Sequence, residues 1–146
     1  MRKILKIYLV LFIISTAVNF AWELSHFRLY RPLMTMELTT AHLLWFSVKD
    51  AWLYLSYILL VAFFAKNLLW FWASRAWEWA ALLSLGFAAS TAIEIHAINT
   101  GRWAYLPVMP IIPVLEVGLS PILQMSFGPV LALFLLLGFM NRSVSD

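Results

Sequence analysis

The sequence predicts an all-α integral membrane protein: four transmembrane helices in a single domain, 1–146, built as a pseudo-twofold repeat of two helical hairpins. Three observations lead there. Of the 146 residues, 64% are hydrophobic and only 12% are charged, about half the ~25% charge of a soluble domain. A chain of this length forms one domain, with too much surface to hide so many apolar side chains from water, so much of that surface faces lipid. The apolar residues also gather into four runs, each close to the roughly 20 residues that a helix needs to cross a bilayer.

The first run, 4–22, follows the basic start Met1-Arg-Lys-Ile-Leu-Lys. That start resembles the n-region of a signal peptide. The run is long enough to span, however, and no small-x-small site marks its end, so the expectation is an uncleaved first helix. The second run, 43–65, carries Lys49 and Asp50; Asp50 falls about 10 Å along the helix from its start at a rise of 1.5 Å per residue. Residues 68–73, with Trp70 and Trp72, read as an interfacial aromatic segment. The third run is 77–97. The fourth, 119–140, has Pro121 in its first turn, where proline is tolerated, and Gly128-Pro129 further in, where a kink is expected.

With four spans, both termini and the 66–75 connection share one side. That side holds Arg2, Lys3, Lys6, Lys66, Arg75 and Arg142. Arg28, Arg31 and Arg102 lie on the other, with Lys49 a few residues into the second helix. The positive-inside rule places the termini in the cytoplasm, and the expected location is a bacterial inner membrane. The acids run the opposite way: Glu23, Glu37, Asp50, Glu94 and Glu116, with His26, His42 and His96, all fall toward the outer side.

The two outer connections share a pattern. Tyr30-Arg-Pro32-Leu-Met34 recurs half a chain later as Tyr105-Leu-Pro107-Val-Met109, with Arg28 and Arg102 preceding the two copies. Glu23 and His26 near the end of the first helix are echoed by Glu94 and His96, and Asp50 falls opposite Gln124. Order preserved through both halves points to duplication of a hairpin, 1–72 and 73–146, about an axis along the membrane normal.

Ionisable groups at membrane depth are expensive, roughly 2.5 to 3.5 kcal/mol on insertion scales, and tend to mark sites. Glu23, Asp50 and Glu94 are therefore the candidate catalytic residues, as general acid or base. His26, Arg28, His96, Arg102, Trp103, Tyr105 and Gln124 are candidate substrate-binding residues. The structural alternative is an ion pair, Asp50 with Lys49 or Glu94 with Arg102. Lys49 is the poorer partner, because adjacent helical residues point about 100° apart. It is expected to snorkel outward.

Other chemistries lack their residues. There is no cysteine, and so no disulfide, thiolate or Cys-ligated metal. Glu23-x-x-His26 has the spacing of a carboxylate-bridged metal bundle, but Glu94-x-His96 places its side chains roughly 200° apart, so neither a metal nor any other cofactor is expected. No serine-nucleophile elbow and no glycine-rich phosphate loop occurs. The net charge of +3 comes from scattered cations, without the basic stripe that nucleic acid requires.

The stretches Asn19-Phe-Ala-Trp22-Glu23, Arg102-Trp103-Ala-Tyr105, Met109-Pro110-x-x-Pro113 and Gly118-Leu-x-Pro121-x-Leu-Gln124 resemble a family of small polytopic bacterial membrane proteins with no assigned activity. The resemblance spans most of the chain. It implies a bacterial source and supports Glu23, Trp103, Tyr105 and Gln124 as positions of interest; it carries no reaction.

Two expectations follow. One is an outer-leaflet site that binds or transforms a membrane lipid or isoprenoid, with acids and aromatics converging; aromatic faces stabilise a developing cation. The other is a non-enzymatic component, a small transporter or accessory subunit, with a homodimer or a membrane-protein partner. Gly86, Gly128 and Gly138 would then permit close helix packing with that partner, and the acids would be spent in ion pairs.

Overall fold

The computed structural model describes residues 1–32 and 39–142. Met34 and Glu37, which the repeat and the acid asymmetry draw on, lie outside the described residues. Four helices carry the chain: α1 (Arg2–His26), α2 (Thr40–Ala65), α3 (Ala76–Asn99) and α4 (Leu119–Arg142). Each is long and apolar enough to cross a membrane, so the protein is an all-α, multi-pass membrane protein. α1 packs mainly on α2 and α4, and α3 mainly on α4.

Each helix outruns its apolar stretch by one to four residues at one end or both. At the start of α2, Thr39 Oγ1 accepts from the His42 N–H at 3.4 Å while His42 Nδ1 accepts from the Thr39 N–H at 3.2 Å, satisfying backbone donors that helix starts leave free. α2 therefore begins at Thr40, and Asp50 lies about 15 Å along it rather than 10 Å. α1 continues through Glu23 to His26, whose ring nitrogen Nδ1 bonds the Trp22 carbonyl at 2.8 Å. α3 ends on Gly101 at φ +66°, with the Arg102 N–H reaching the Ala97 carbonyl at 2.9 Å, a closure that suits glycine because the left-handed conformation strains other residues.

The core is apolar through the half of the bundle near the termini, where Leu11, Ile58, Leu82, Leu133 and Leu136 are fully buried. Phe63, Phe64, Phe134 and Phe139 stand exposed on its outside, as lipid-facing residues would. The 68–73 segment is no added span, and its residues 70–72 form a short 3-10 turn. Trp72 is exposed, whereas Trp70 folds into the core, where its indole N–H donates to the Ile58 carbonyl at 3.2 Å. The polar indole edge finds a backbone partner there, so the whole ring can be buried.

Two of the three glycines read as partner contacts are used inside the chain. A side chain at Gly86 would strike the backbone of Met125 and Ser126 on α4, and one at Gly128 would strike the Tyr54 phenol on α2. Gly138 faces open space. α4 runs through Pro129 without interruption to Arg142.

At the end of the bundle opposite the termini, two short ladders organise the connections. β1 (Tyr30–Pro32) pairs antiparallel with β2 (Trp103–Tyr105), and β3 (Ile111–Ile112) with β4 (Val117–Gly118). In the first ladder, Tyr30 lies directly opposite Tyr105, and the Leu106 N–H donates to the Leu29 carbonyl at 2.9 Å. Pro107 sits in a turn beyond it and Pro110 immediately precedes β3, while Met109 and Val117 pack inward.

Candidate functional site

The ladder end of the bundle is where the core turns polar. Asn19 on α1, Gln124 on α4 and Glu94 on α3 are buried, at 0%, 4% and 4% exposure; Glu23 and Asp50 are half-buried. Placement follows helix periodicity. Asn19 and Glu23 are one turn apart on α1, as are Asp50 and Tyr54 on α2, so each pair shares a face.

Gln124 joins three helices. Its Nε2 lies 2.9 Å from Asn19 Oδ1, 3.1 Å from Asp50 Oδ2 and 3.4 Å from Glu23 Oε1. A primary amide has two hydrogens, so it serves two of these acceptors well, and Glu23, the most distant, receives the weakest share. The backbone carbonyl of Gln124 accepts from the Tyr54 hydroxyl at 2.7 Å, which fixes α4 against α2 at the same level.

Glu94 is held differently. One oxygen accepts from the Tyr105 hydroxyl at 2.6 Å and from the Trp103 indole N–H at 3.2 Å, and the other from the Tyr30 hydroxyl at 3.4 Å. Both strands of the first ladder are thereby tied to α3 through one carboxylate. Burial pushes the Tyr105 and Tyr30 phenols above their ordinary range, and the Glu94 carboxylate adds to this, since a negative neighbour opposes loss of the phenol proton. Both hydroxyls therefore stay protonated and donate.

Glu23, Asp50 and Glu94 are close enough to act on one another electrostatically, and among the described residues none has an ion-pair partner. Among the described residues the only ion pair is Arg75 with Glu78, 3.1 Å apart at the opposite end of the molecule. Lys49 forms no ion pair with Asp50, although it is near enough to act on it electrostatically; its ammonium stands over the rings of Trp45 and Phe46, at 5.5 and 5.2 Å. An aromatic wall borders the acids: Trp22 packs on His26, His26 on Tyr30, and Tyr30 on both Trp103 and Tyr105, with centroids 5.7 to 6.1 Å apart. Four buried polar side-chain atoms, the Ser15 and Ser126 hydroxyls, the Trp22 indole N–H and the Tyr57 hydroxyl, have no hydrogen-bond partner among the described residues.

Of the ten candidates read from sequence, seven come together here: Glu23, His26, Asp50, Glu94, Trp103, Tyr105 and Gln124. Arg28, His96 and Arg102 do not. They are exposed, with the Arg28 guanidinium over its neighbour Phe27 at 5.7 Å. Glu116 is also exposed, away from the cluster. Three members were not among the sequence candidates: Asn19, Tyr30 and Tyr54. Helical spacing from Glu23 and Asp50 was the available signal for Asn19 and Tyr54. His26 uses Nδ1 on the Trp22 carbonyl, and among the described residues no group of three His, Cys, Asp or Glu side chains is set to hold a metal. No protein family matches the chain, and no curated protein or solved structure does either.

Proposed function

We propose that the protein binds or transforms a membrane lipid or isoprenoid at the ladder end of the bundle, with carboxylic acids as proton donor and acceptor. One observation carries this reading: three buried or half-buried carboxyls from three helices converge, and among the described residues none of them forms an ion pair. Acids spent on structure are normally ion-paired, because burying a charge without a partner is costly. Here the carboxyls are held by neutral donors instead, an arrangement suited to proton transfer. Within the cluster the roles differ. Glu94 has three donors and anchors the ladder, Asp50 shares the Gln124 amide, and Glu23, with the weakest share, is the carboxyl left for a ligand. The aromatic wall would meet positive charge developing on a bound chain.

In the same reading the ladder end faces outward from a bacterial inner membrane, with the termini in the cytoplasm, as the lysine and arginine bias favours. A duplicated hairpin accounts for the shared loop pattern. Under a twofold relation between halves, Tyr30 and Tyr105 would be equivalent and would flank the axis, and they are opposite one another in the ladder.

The test is mass spectrometry of lipids that co-purify in mild detergent with wild type, Glu23→Gln and Asp50→Asn. A discrete lipid or isoprenoid in stoichiometric amount, lost or chemically altered in the variants, is expected. Bulk membrane lipid alone in all three samples would turn the search to protein partners.

A further inference from the structure

Outside the acid cluster, the surface between α1 and α2 carries a groove of about 340 Å³, lined by Phe12, Ile13, Thr16, Ala17 and Phe20 of α1 and by Leu44 and Val48 of α2. Its lining is almost wholly apolar. The one hydroxyl, Thr16, donates to the Phe12 carbonyl at 2.9 Å and so is spent on its own helix. The end nearer the termini is closed by Phe12 packed against Trp52 at 4.9 Å. The other end is Phe20, three residues before Glu23 and therefore on the same side of α1. From Phe12 to Phe20 the groove runs about 12 Å at 1.5 Å per residue, close to the ~15 Å depth of one leaflet.

We propose that this groove holds the single hydrocarbon chain of an amphiphile whose neutral hydroxyl head reaches Glu23. This rests on the reading of the acid cluster as a lipid site, and it names the ligand class. One feature selects the head. The carboxyls of Glu23, Asp50 and Glu94 disfavour a phosphate and welcome a hydrogen-bond donor, and the Glu23 carboxyl accepts the hydrogen of an alcohol head. The exposed Arg28, five residues on, is the natural rival for a phosphate head.

The experiment uses the whole protein in phosphatidylcholine vesicles, photolabelled with dodecan-1-ol carrying a diazirine in its chain, in competition with unlabelled dodecan-1-ol or dodecyl phosphate. Labels are expected on 12–20 and 44–48, and to fall about tenfold, the equivalent of about 1.4 kcal/mol, with the alcohol but not with the phosphate. Ala17→Trp and Val48→Trp fill the groove from opposite helices and should each lose the label while keeping wild-type circular dichroism. Glu23→Gln should keep the chain label but lose the preference for alcohol. Equal labelling of Phe127 and Phe134 on α4, or indifference to both tryptophans, would overturn the groove. Competition by phosphate as strong as by alcohol in wild type would overturn the head assignment. Groove labelling that survives while Glu23→Gln changes nothing would remove the acid-site reading and leave the chain site standing.

Discussion

The Glu94 network makes a graded prediction. Its three bonds, 2.6 Å from Tyr105, 3.2 Å from Trp103 and 3.4 Å from Tyr30, should contribute in that order, because hydrogen bonds weaken with distance. A bond to a charged acceptor is worth about 1.5 to 3 kcal/mol when well made. Tyr105 is half-exposed, so the low end applies, and Tyr105→Phe should cost about 1.5 kcal/mol. Trp103→Phe should cost about 1 kcal/mol and Tyr30→Phe about 0.5 kcal/mol or less, as longer bonds. Glu94→Ala strands all three donors at once and should cost about 3 kcal/mol. Glu94→Gln keeps an acceptor without the charge and should fall between. The assay is unfolding by SDS in mixed micelles, read by tryptophan fluorescence, with hydrogen exchange of 30–32 and 103–105 as the local reporter. Loss of protection should be confined to the ladder in the tyrosine variants. A Tyr30→Phe effect as large as that of Tyr105→Phe, or a Glu94→Ala variant as stable as wild type, would refute the account of Glu94 as the tie between ladder and α3.

Other predictions follow from the same geometry. Tyr30 and Tyr105 have phenols raised above the ordinary value of 10.0. The unfolded chain therefore gives up those protons first, and the stability they contribute is present below about pH 10 and lost as pH rises above it. An unfolding series from pH 8 to 11 should show this decline, shallower in Tyr105→Phe. Gly128→Ala should destabilise by about 1 to 3 kcal/mol through overpacking, and Tyr54→Phe in the same chain should recover only a small part of that loss, because ring carbons of Tyr54 obstruct the new side chain as well as its hydroxyl. Since the chain has no cysteine, Val114→Cys and Ala73→Cys report sidedness directly. An impermeant maleimide should label position 114 on intact cells and position 73 only after permeabilisation.

The class of fold was legible because lipid imposes it: four apolar runs, each long enough to span, have few alternatives. Helix ends were less so. Thr39 with His42 and Gly101 with Arg102 close their helices by local polar geometry that apolar windows ignore. The inward turn of Trp70 was hidden because an aromatic beside charged residues reads as interfacial, and only the Ile58 carbonyl on another element makes burial favourable. In the site, rarity singled out the acids. The arginines were misleading neighbours in sequence: Arg102 lies eight residues from Glu94, yet neutral donors on the β-ladder occupy the carboxylate. That ladder rests on two three-residue strands, too short for any alternation to show, so Tyr30 stood out only as part of a repeated loop pattern.

Stability and function should therefore separate within one cluster of acids. Glu94 is saturated by three donors and holds two strands to a helix. Its loss is a structural injury, and any effect on ligand follows from the displaced ladder. Glu23 stands 3.4 Å from an amide whose two hydrogens already have nearer acceptors at 2.9 and 3.1 Å, so Glu23→Gln removes little that holds the fold. If the site binds an amphiphile through Glu23, that variant should unfold within about 0.5 kcal/mol of wild type, as substitutions outside tight contacts do, yet bind the alcohol probe about tenfold more weakly, a loss of about 1.4 kcal/mol. Glu94→Ala should do the reverse in proportion, losing about 3 kcal/mol of stability for a smaller loss of binding per unit of disorder at the ladder. Equal stability losses in Glu23→Gln and Glu94→Ala would mean that both acids serve the fold alone, since a carboxyl free to meet a ligand cannot also be one on which folding depends.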